Sequence, residues 1–331
     1  MMKRTLAVAA VSALTAGAAL AQSSVTVYGR LNTSMEYQDN IGADGTQSVL
    51  QNNASRLGFK GIEDLGGGLK ALFFLEHRFN VDTGTVTGDF YAGDSFVGLE
   101  SASLGTFRLG RLTSAAYYAT ADYVSYHNHD TGTSEDKLYT YLGRNKNTIA
   151  WLSPAFAGFT VEGSVSASEG TGDANKVFGL AVNYDGGAFQ AGFGYEQNEP
   201  SDNQLAIRAN YTMGAFTFGG YYQRSDVTDP VTFGLNAGTR DAVRGSVMYT
   251  MGNSEFHANV GWADDWSNVN DSGATQYTLA YNYNLSKRTK IFAFYTAVDN
   301  GSGLSYFGAL SNTDGSVLDP SSIAVGVRHN F

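Results

Sequence analysis

The sequence predicts an all-β chain, with sixteen antiparallel strands closed into a transmembrane β-barrel. Three observations carry that prediction. Apolar and polar residues alternate with period two from about residue 24 to the last residue, and no sustained helical period interrupts them. The connections alternate between tight turns and long polar loops, as in barrels that carry turns at one rim and loops at the other. The composition, 40 Gly, 20 Tyr and 20 Phe against 4 Pro, suits many strands and turns, and the aromatics gather near strand ends on the apolar faces. In a soluble sandwich the apolar face turns inward. Here it is expected to turn outward, to lipid.

Ahead of the first strand, Lys3 and Arg4, an apolar stretch from Leu6 to Leu14 and the small-residue end Ala19-Leu20-Ala21 read as a cleaved signal peptide over residues 1–21. Residues 22–331 are then one barrel domain, since no linker or charge block divides them. Cleavage removes two of 21 basic residues and none of 31 acidic ones, leaving 19 against 31 and a net charge of −12. Such acidity argues against nucleic acid as a partner. The chain has no Cys, which excludes a disulfide framework. No later window reaches the roughly 18 consecutive apolar residues of a spanning helix, a test that barrel strands do not have to pass.

The strands follow in order. The first, 24–36, sets Val25, Val27, Gly29 and Leu31 against Thr26, Tyr28 and Arg30. The second, 53–63, opposes Leu57 and Phe59 to Arg56 and Lys60, and Asp64-Leu65-Gly66-Gly67 turns it into the third, 68–80, where Arg78 shares parity with Glu76. The fourth and fifth are 89–101 and 104–112, the latter placing Arg108 between Phe107 and Leu109. After the longest connection come 145–154, 158–168, 175–185 and 188–198, the last two joined at Asp185-Gly186-Gly187. Strands 204–213 and 215–225 meet at Met213-Gly214, with Arg208 beside Ile207; strands 240–251 and 254–263 meet at Met251-Gly252-Asn253, with Arg244 beside Val243. Strands 274–285, 288–299 and 322–331 complete the set, and the long connections are 37–50, 113–144, 226–239, 264–273 and 300–320. The 310 mature residues give about 19 per strand, room for a spanning strand of roughly 9–11 residues with half a turn and half a loop. In a bilayer each unpaired backbone group costs several kcal/mol, so the last strand has to pair with the first.

Several stretches carry a resemblance: SSVTVYGRL (23–31), SRLGFKGIEDLGGGLKALFFLE (55–76), GTFRLGR (105–111), RNKNTIAWLSPAFAGF (144–159), YNLSKRTKIFAFY (283–295) and VGVRHNF (325–331). Together they resemble the Gram-negative general porins, in particular those of Neisseria-like and Burkholderia-like β-proteobacteria. The resemblance implies a homotrimeric, water-filled channel in the bacterial outer membrane through which small hydrophilic solutes and ions diffuse passively. It implies further partners in outer-membrane lipid, lipopolysaccharide and the barrel-assembly machinery, which would recognise a terminal aromatic such as Phe331. It also implies that the connection after the fifth strand folds inward as a constriction loop, and that the short second loop, Val81 to Gly88, reaches a neighbouring subunit.

The chemistry expected of such a channel is electrostatic sorting by charges at close quarters. Alternation places Arg30, Arg56, Lys60, Arg78, Arg108, Arg208 and Arg244 on the lumen face, because a cation at the lipid midplane costs about 2–4 kcal/mol. The long loop supplies Asp122, Asp130, Glu135 and Asp136 with only Lys137 in opposition, and these acids are expected to face the wall arginines across the pore. Wall cations favour anions and the acidic outer loops favour cations. With a Debye length of about 8 Å, the charges at the narrowest point should prevail, giving a weak anion preference. Neither cofactor nor metal is expected: His127 and His129 lack zinc-ligand spacing, Asp264, Asp265 and Asp271 do not form a calcium loop, and Gly66-Gly67-Gly68 precedes no helix that could cradle phosphate. Nothing positions a Ser/His/Asp set, so an outer-membrane hydrolase is disfavoured; a substrate-selective channel of the same fold is the nearer rival.

Overall fold

The computed structural model describes residues 23–41, 45–124, 126–127, 131–167, 176–198, 202–227, 237–303 and 318–331. The expected signal peptide, 1–21, and Asp130 lie outside them. Seventeen strand segments are present among the described residues: β1 (Ser24–Asp39), β2 (Thr46–Asn52), β3 (Arg56–Gly66), β4 (Leu69–Arg78), β5 (Ser95–Ser101), β6 (Gly105–Thr113), β7 (Arg144–Leu152), β8 (Phe159–Ser166), β9 (Val177–Gly186), β10 (Phe189–Asn198), β11 (Asp202–Met213), β12 (Phe216–Val227), β13 (Gly238–Met251), β14 (Ser254–Ala263), β15 (Ala274–Asn284), β16 (Thr289–Asn300) and β17 (Ser321–Asn330). Each pairs antiparallel with its neighbours. Because β2 and β3 both pair with β1 and together make one span, the barrel has sixteen strands.

The ring closes where β17 pairs with β1, from Arg30 opposite Asn330 to Asp39 opposite Ser321. Phe331 adds two further bonds: its N–H donates to the Gly29 carbonyl and its carbonyl accepts from the Gly29 N–H, both at 3.0 Å. The burial pattern is inverted as expected. Along β1, Met35 is 61 % exposed on the outside while its neighbour Glu36 is 0 % exposed on the inside. The same alternation runs through β11, with Leu205 and Ile207 outward and Gln204 and Arg208 inward, and through β15, with Tyr277 and Leu279 outward and Gln276 and Thr278 inward. At the turn rim the outer aromatics form neighbouring pairs, Phe159 with Tyr184 at 4.6 Å, Phe216 with Tyr249 at 4.8 Å and Phe256 with Tyr281 at 5.2 Å between ring centres. Amphipathic rings of this kind suit the lipid headgroup level.

The strand boundaries differ from expectation in three places. The stretch 37–50 is mostly hairpin: β1 continues to Asp39 and pairs with β2 up to Thr46, so backbone groups expected in a loop are satisfied by the ladder. The second span is interrupted at 53–55, where Ala54 has φ +54°, and Asn53 and Ser55 side chains fill in by bonding Ser34 Oγ at 2.9 Å and the Asn32 N–H at 3.0 Å. The connection before β5 is also longer than expected, spanning 79–94.

The connection after β6 is structured. Ser114 caps a short helix α1 (Ala115–Ala119) by accepting from the Tyr117 N–H, and two 3-10 turns follow at Ala121–Tyr123 and Gly132–Ser134. The buried Ala115, Ala116 and Ala119 lay this helix against β9, β10 and β11. Two glycines of β10 make room for it. A Cβ on Gly194 would stand 2.6 Å from Ala116 Cα, and one on Gly192 would run into the Ala119 carbonyl. The loop therefore lies inside the barrel, against the inner face of the wall.

Candidate functional site

With the loop laid against one wall, a cavity of about 470 Å³ remains between it and the opposite strands. The strand register explains its basic side. Arg30 of β1 stands opposite Arg56 of β3, and Arg56 stands opposite Arg78 of β4, so three guanidinium groups form a row across adjacent strands. Like charges placed directly opposite destabilise a sheet. Glu76 partly offsets this: Arg78 Nε donates to its Oε1 at 3.0 Å, an Arg56 guanidinium nitrogen lies 3.9 Å from the same oxygen, and Tyr28 donates to Oε2 at 3.2 Å. Arg30 Nε donates to Asn330 Oδ1 at 3.2 Å. Arg144, which the sequence reading did not single out, adds a fourth arginine to the lining, while Asp122, Glu135 and Asp136 line it from the loop.

Two of the arginines expected in the open lumen do something else. Arg244 is covered by the loop, where its Nε and Nη2 donate to Asp136 Oδ2 and Oδ1 at 2.8 and 2.7 Å; Nη2 also donates to Gln276 Oε1 at 2.7 Å. Tyr221 donates to Asp136 Oδ2 at 2.5 Å. Burial opposes charge on Asp136, but the Arg244 charge and these hydrogen bonds outweigh it and hold the carboxyl below the usual carboxylate range. Arg208 is likewise covered: Nε donates to the Ala119 carbonyl at 2.5 Å, and the guanidinium lies 3.8 Å from the centre of the Tyr123 ring. Arg240, also not anticipated, shares parity with Arg244 and donates to the Leu138 carbonyl at 2.6 Å and Thr140 Oγ1 at 3.0 Å. Near the loop's far point, Thr133 donates to Glu36 Oε2 at 3.1 Å.

A closed sixteen-strand barrel with a loop pinned inside it already points to one class of protein, and comparison with known families agrees. The family model described as Gram-negative porin matches residues 6–303. The chain belongs to that family. It is 32% identical over 360 residues to outer membrane porin protein 32 of Delftia acidovorans, covering all of both chains. Among solved structures it is similar to the anion-selective porin from Comamonas acidovorans, with a TM-score of 0.76 and 26% identity over 94% of this chain and 100% of that one. The trimer form of OmpT from Vibrio cholerae shares the fold, with a TM-score of 0.69 at 18% identity over 93% of this chain and 99% of that one. This porin is accordingly an outer-membrane protein, and family and fold together point to a channel rather than an enzyme.

Lys60 and Arg108 of the porin fall outside the cavity lining. Lys60 lies over the Tyr28 ring at 5.4 Å, and Arg108 pairs with Glu162 at 2.5 Å beneath the Phe96 ring. Glu135 reaches the lining but also receives Lys137 at 2.7 Å. Among the described residues no cluster of three His, Cys, Asp or Glu is disposed to hold a metal; Asp265 instead accepts from the Asp271 and Gly273 N–H groups at 3.2 and 2.7 Å.

Proposed function

We propose that this porin is a passive diffusion channel for small hydrophilic solutes and ions, in which the loop narrows the lumen and the narrowest part weakly prefers anions. The carrying observation is the lining itself: four arginines, Arg30, Arg56, Arg78 and Arg144, against three carboxylates, an excess of one positive charge. Behind the lining, Arg244 pairs with Asp136, Lys137 with Glu135, Glu76 with Arg78 and Asp94 with Arg144, two partners of each sign. Wall and loop carry opposite charges across one cavity, so a dipolar solute would be oriented as it passes. The preference is for accumulation, not for chemistry, and no bond is made or broken. Reversal potential in a potassium chloride gradient tests it: the expected sign is chloride over potassium, and potassium over chloride would overturn the reading.

The same proposal includes a homotrimer, contact with lipid and lipopolysaccharide, and removal of residues 1–21 on export. Phe331 has a specific place in it. Besides its two backbone bonds to Gly29, its ring occupies the space that a Cβ on Gly29 would take, so this end of the chain is fitted to the first strand. As the signal read by the assembly machinery it should matter before the channel conducts. Deleting Phe331 is expected to lower the yield of heat-modifiable trimer while leaving the conductance of assembled channels unchanged; normal yield would restrict the ring to packing.

A further inference from the structure

The loop side of the cavity is aromatic as well as acidic. Tyr117, Tyr118, Tyr139 and Tyr141 all line it: Tyr139 is buried, Tyr117 and Tyr141 are half-buried against it, and Tyr118 is exposed. Their arrangement is packed rather than scattered. The Tyr117 ring centre lies 4.9 Å from Tyr141, 5.8 Å from Tyr139 and 6.1 Å from Tyr118. Tyr139 is held from behind, by a 2.9 Å bond between its hydroxyl and Thr120 Oγ1 and by the Tyr221 ring at 5.3 Å and 89°. Tyr117 and Tyr118 sit on α1, which Ser114 caps and Arg208 ties to the wall, so the platform is fixed before any solute arrives. Tyr118 is 42 % exposed. Across the cavity stand Arg30, Arg56 and Arg78.

A guanidinium group and an aromatic platform facing each other across one cavity make a two-point site. The planar fork of arginine matches a carboxylate bidentately. Tyrosine rings attract another ring through offset or edge contacts, and they do so more strongly than they attract a saturated ring of similar area. We propose that the constriction recognises anions carrying a planar aromatic ring, aromatic monocarboxylates being the simplest class, with the carboxylate on the arginine row and the ring on Tyr117 and Tyr118. This rests on the anion-preferring reading above and adds a solute class to it. Aromatic cations are the competing class, because Asp122 and Glu135 lie on the same loop; they are disfavoured because the lining that holds the rings has more guanidinium groups than carboxylates.

Single-channel recording in potassium chloride tests the proposal with benzoate, cyclohexanecarboxylate and anilinium as probes. Benzoate and cyclohexanecarboxylate share charge and size and differ in the ring. Benzoate is expected to reduce the chloride current at about two- to tenfold lower concentration than cyclohexanecarboxylate, the range that one aromatic pair supplies. In Tyr118→Leu, an exposed position, the two anions should become equivalent. Equal block by both in the wild-type channel, stronger block by anilinium, or an unchanged ratio in Tyr118→Leu would each overturn it. The reversal potential in plain potassium chloride separates the two levels: chloride preference with no benzoate preference removes this inference alone, whereas potassium preference removes the reading beneath it.

Discussion

The two flanks of the lumen carry the same residue type to opposite ends. On the β1–β4 flank Arg56 and Arg78 keep 16 % of their side-chain surface exposed, face the cavity and share the Glu76 carboxylate, and Arg56 also donates to the Ala54 carbonyl. On the β11–β13 flank Arg208, Arg240 and Arg244 point inward by the same alternation, yet the loop covers them; Arg244 keeps 1 % and is saturated by Asp136, Asn259 and Gln276. The difference lies in what lies over each wall. Glycines and alanines at β10 and α1 let the loop lie flat on one flank, so arginines there become anchors. On the other flank the described part of the loop touches β1 at Glu36, through Thr133, and leaves the arginine row facing the cavity. Inward direction is a property of strand parity, but electrostatic duty depends on tertiary cover.

The largest expected effect follows from the covered flank. Arg244→Ala leaves Asp136 buried without its cation, and breaking such a pair by removing one partner costs about 3–5 kcal/mol. The variant should show a lowered thermal transition in detergent and unsteady single-channel current as the loop leaves the wall. An unchanged transition with a quiet channel would mean that the loop is held elsewhere. Arg56→Ala, on the open flank, should leave loop and stability much less affected.

A smaller effect concerns pH at the loop's far point. The His127 ring is buried, 5.7 Å from the His257 ring of β14 and 5.6 Å from Phe294 of β16, and among the described residues neither of its ring nitrogens has a hydrogen-bond partner. Burial, followed by the nearby His257, Lys290 and Arg328, pushes its pKa well below the ordinary value of about 6.5. Because the folded value is the lower one, docking is fully favoured above about pH 6.5 and is lost as pH falls through the folded value. Loop-dependent current noise should rise on acidification in the wild-type channel and rise less in His127→Phe. Identical pH profiles would remove His127 from the account.

Much of this architecture was legible because lipid outside and water inside impose period two on every spanning strand. The alternations at 24–36, 204–213 and 274–285 emerge on the faces they predict. Local sequence could not show the break at 53–55, since nothing marks Ala54 for a left-handed backbone. Nor did it extend β1 to Asp39, because a stretch as polar as Gln38 to Gln47 reads as a loop. At the site, parity turned Arg30, Arg56 and Arg78 inward, and their row appears once the register sets them opposite one another. The same parity could not tell that Arg208 and Arg244 would be covered, because loop and wall are joined by contacts a hundred residues apart, such as Arg244 with Asp136. Arg144 escaped notice at the end of a long connection, where alternation has not yet begun. Glu36 was within reach: it shares parity with Arg30, and its burial beside Thr133 is the tertiary part.

The claim that only the open flank sorts ions is tested most directly by reversal potential in a potassium chloride gradient. The wild-type channel is compared with Arg30→Gln/Arg56→Gln on the open flank and Arg208→Gln on the covered one. The double variant is expected to move the reversal potential toward potassium, and Arg208→Gln is expected to move it far less. A shift as large from Arg208→Gln, or none from Arg30→Gln/Arg56→Gln, would contradict the division of labour between the two walls.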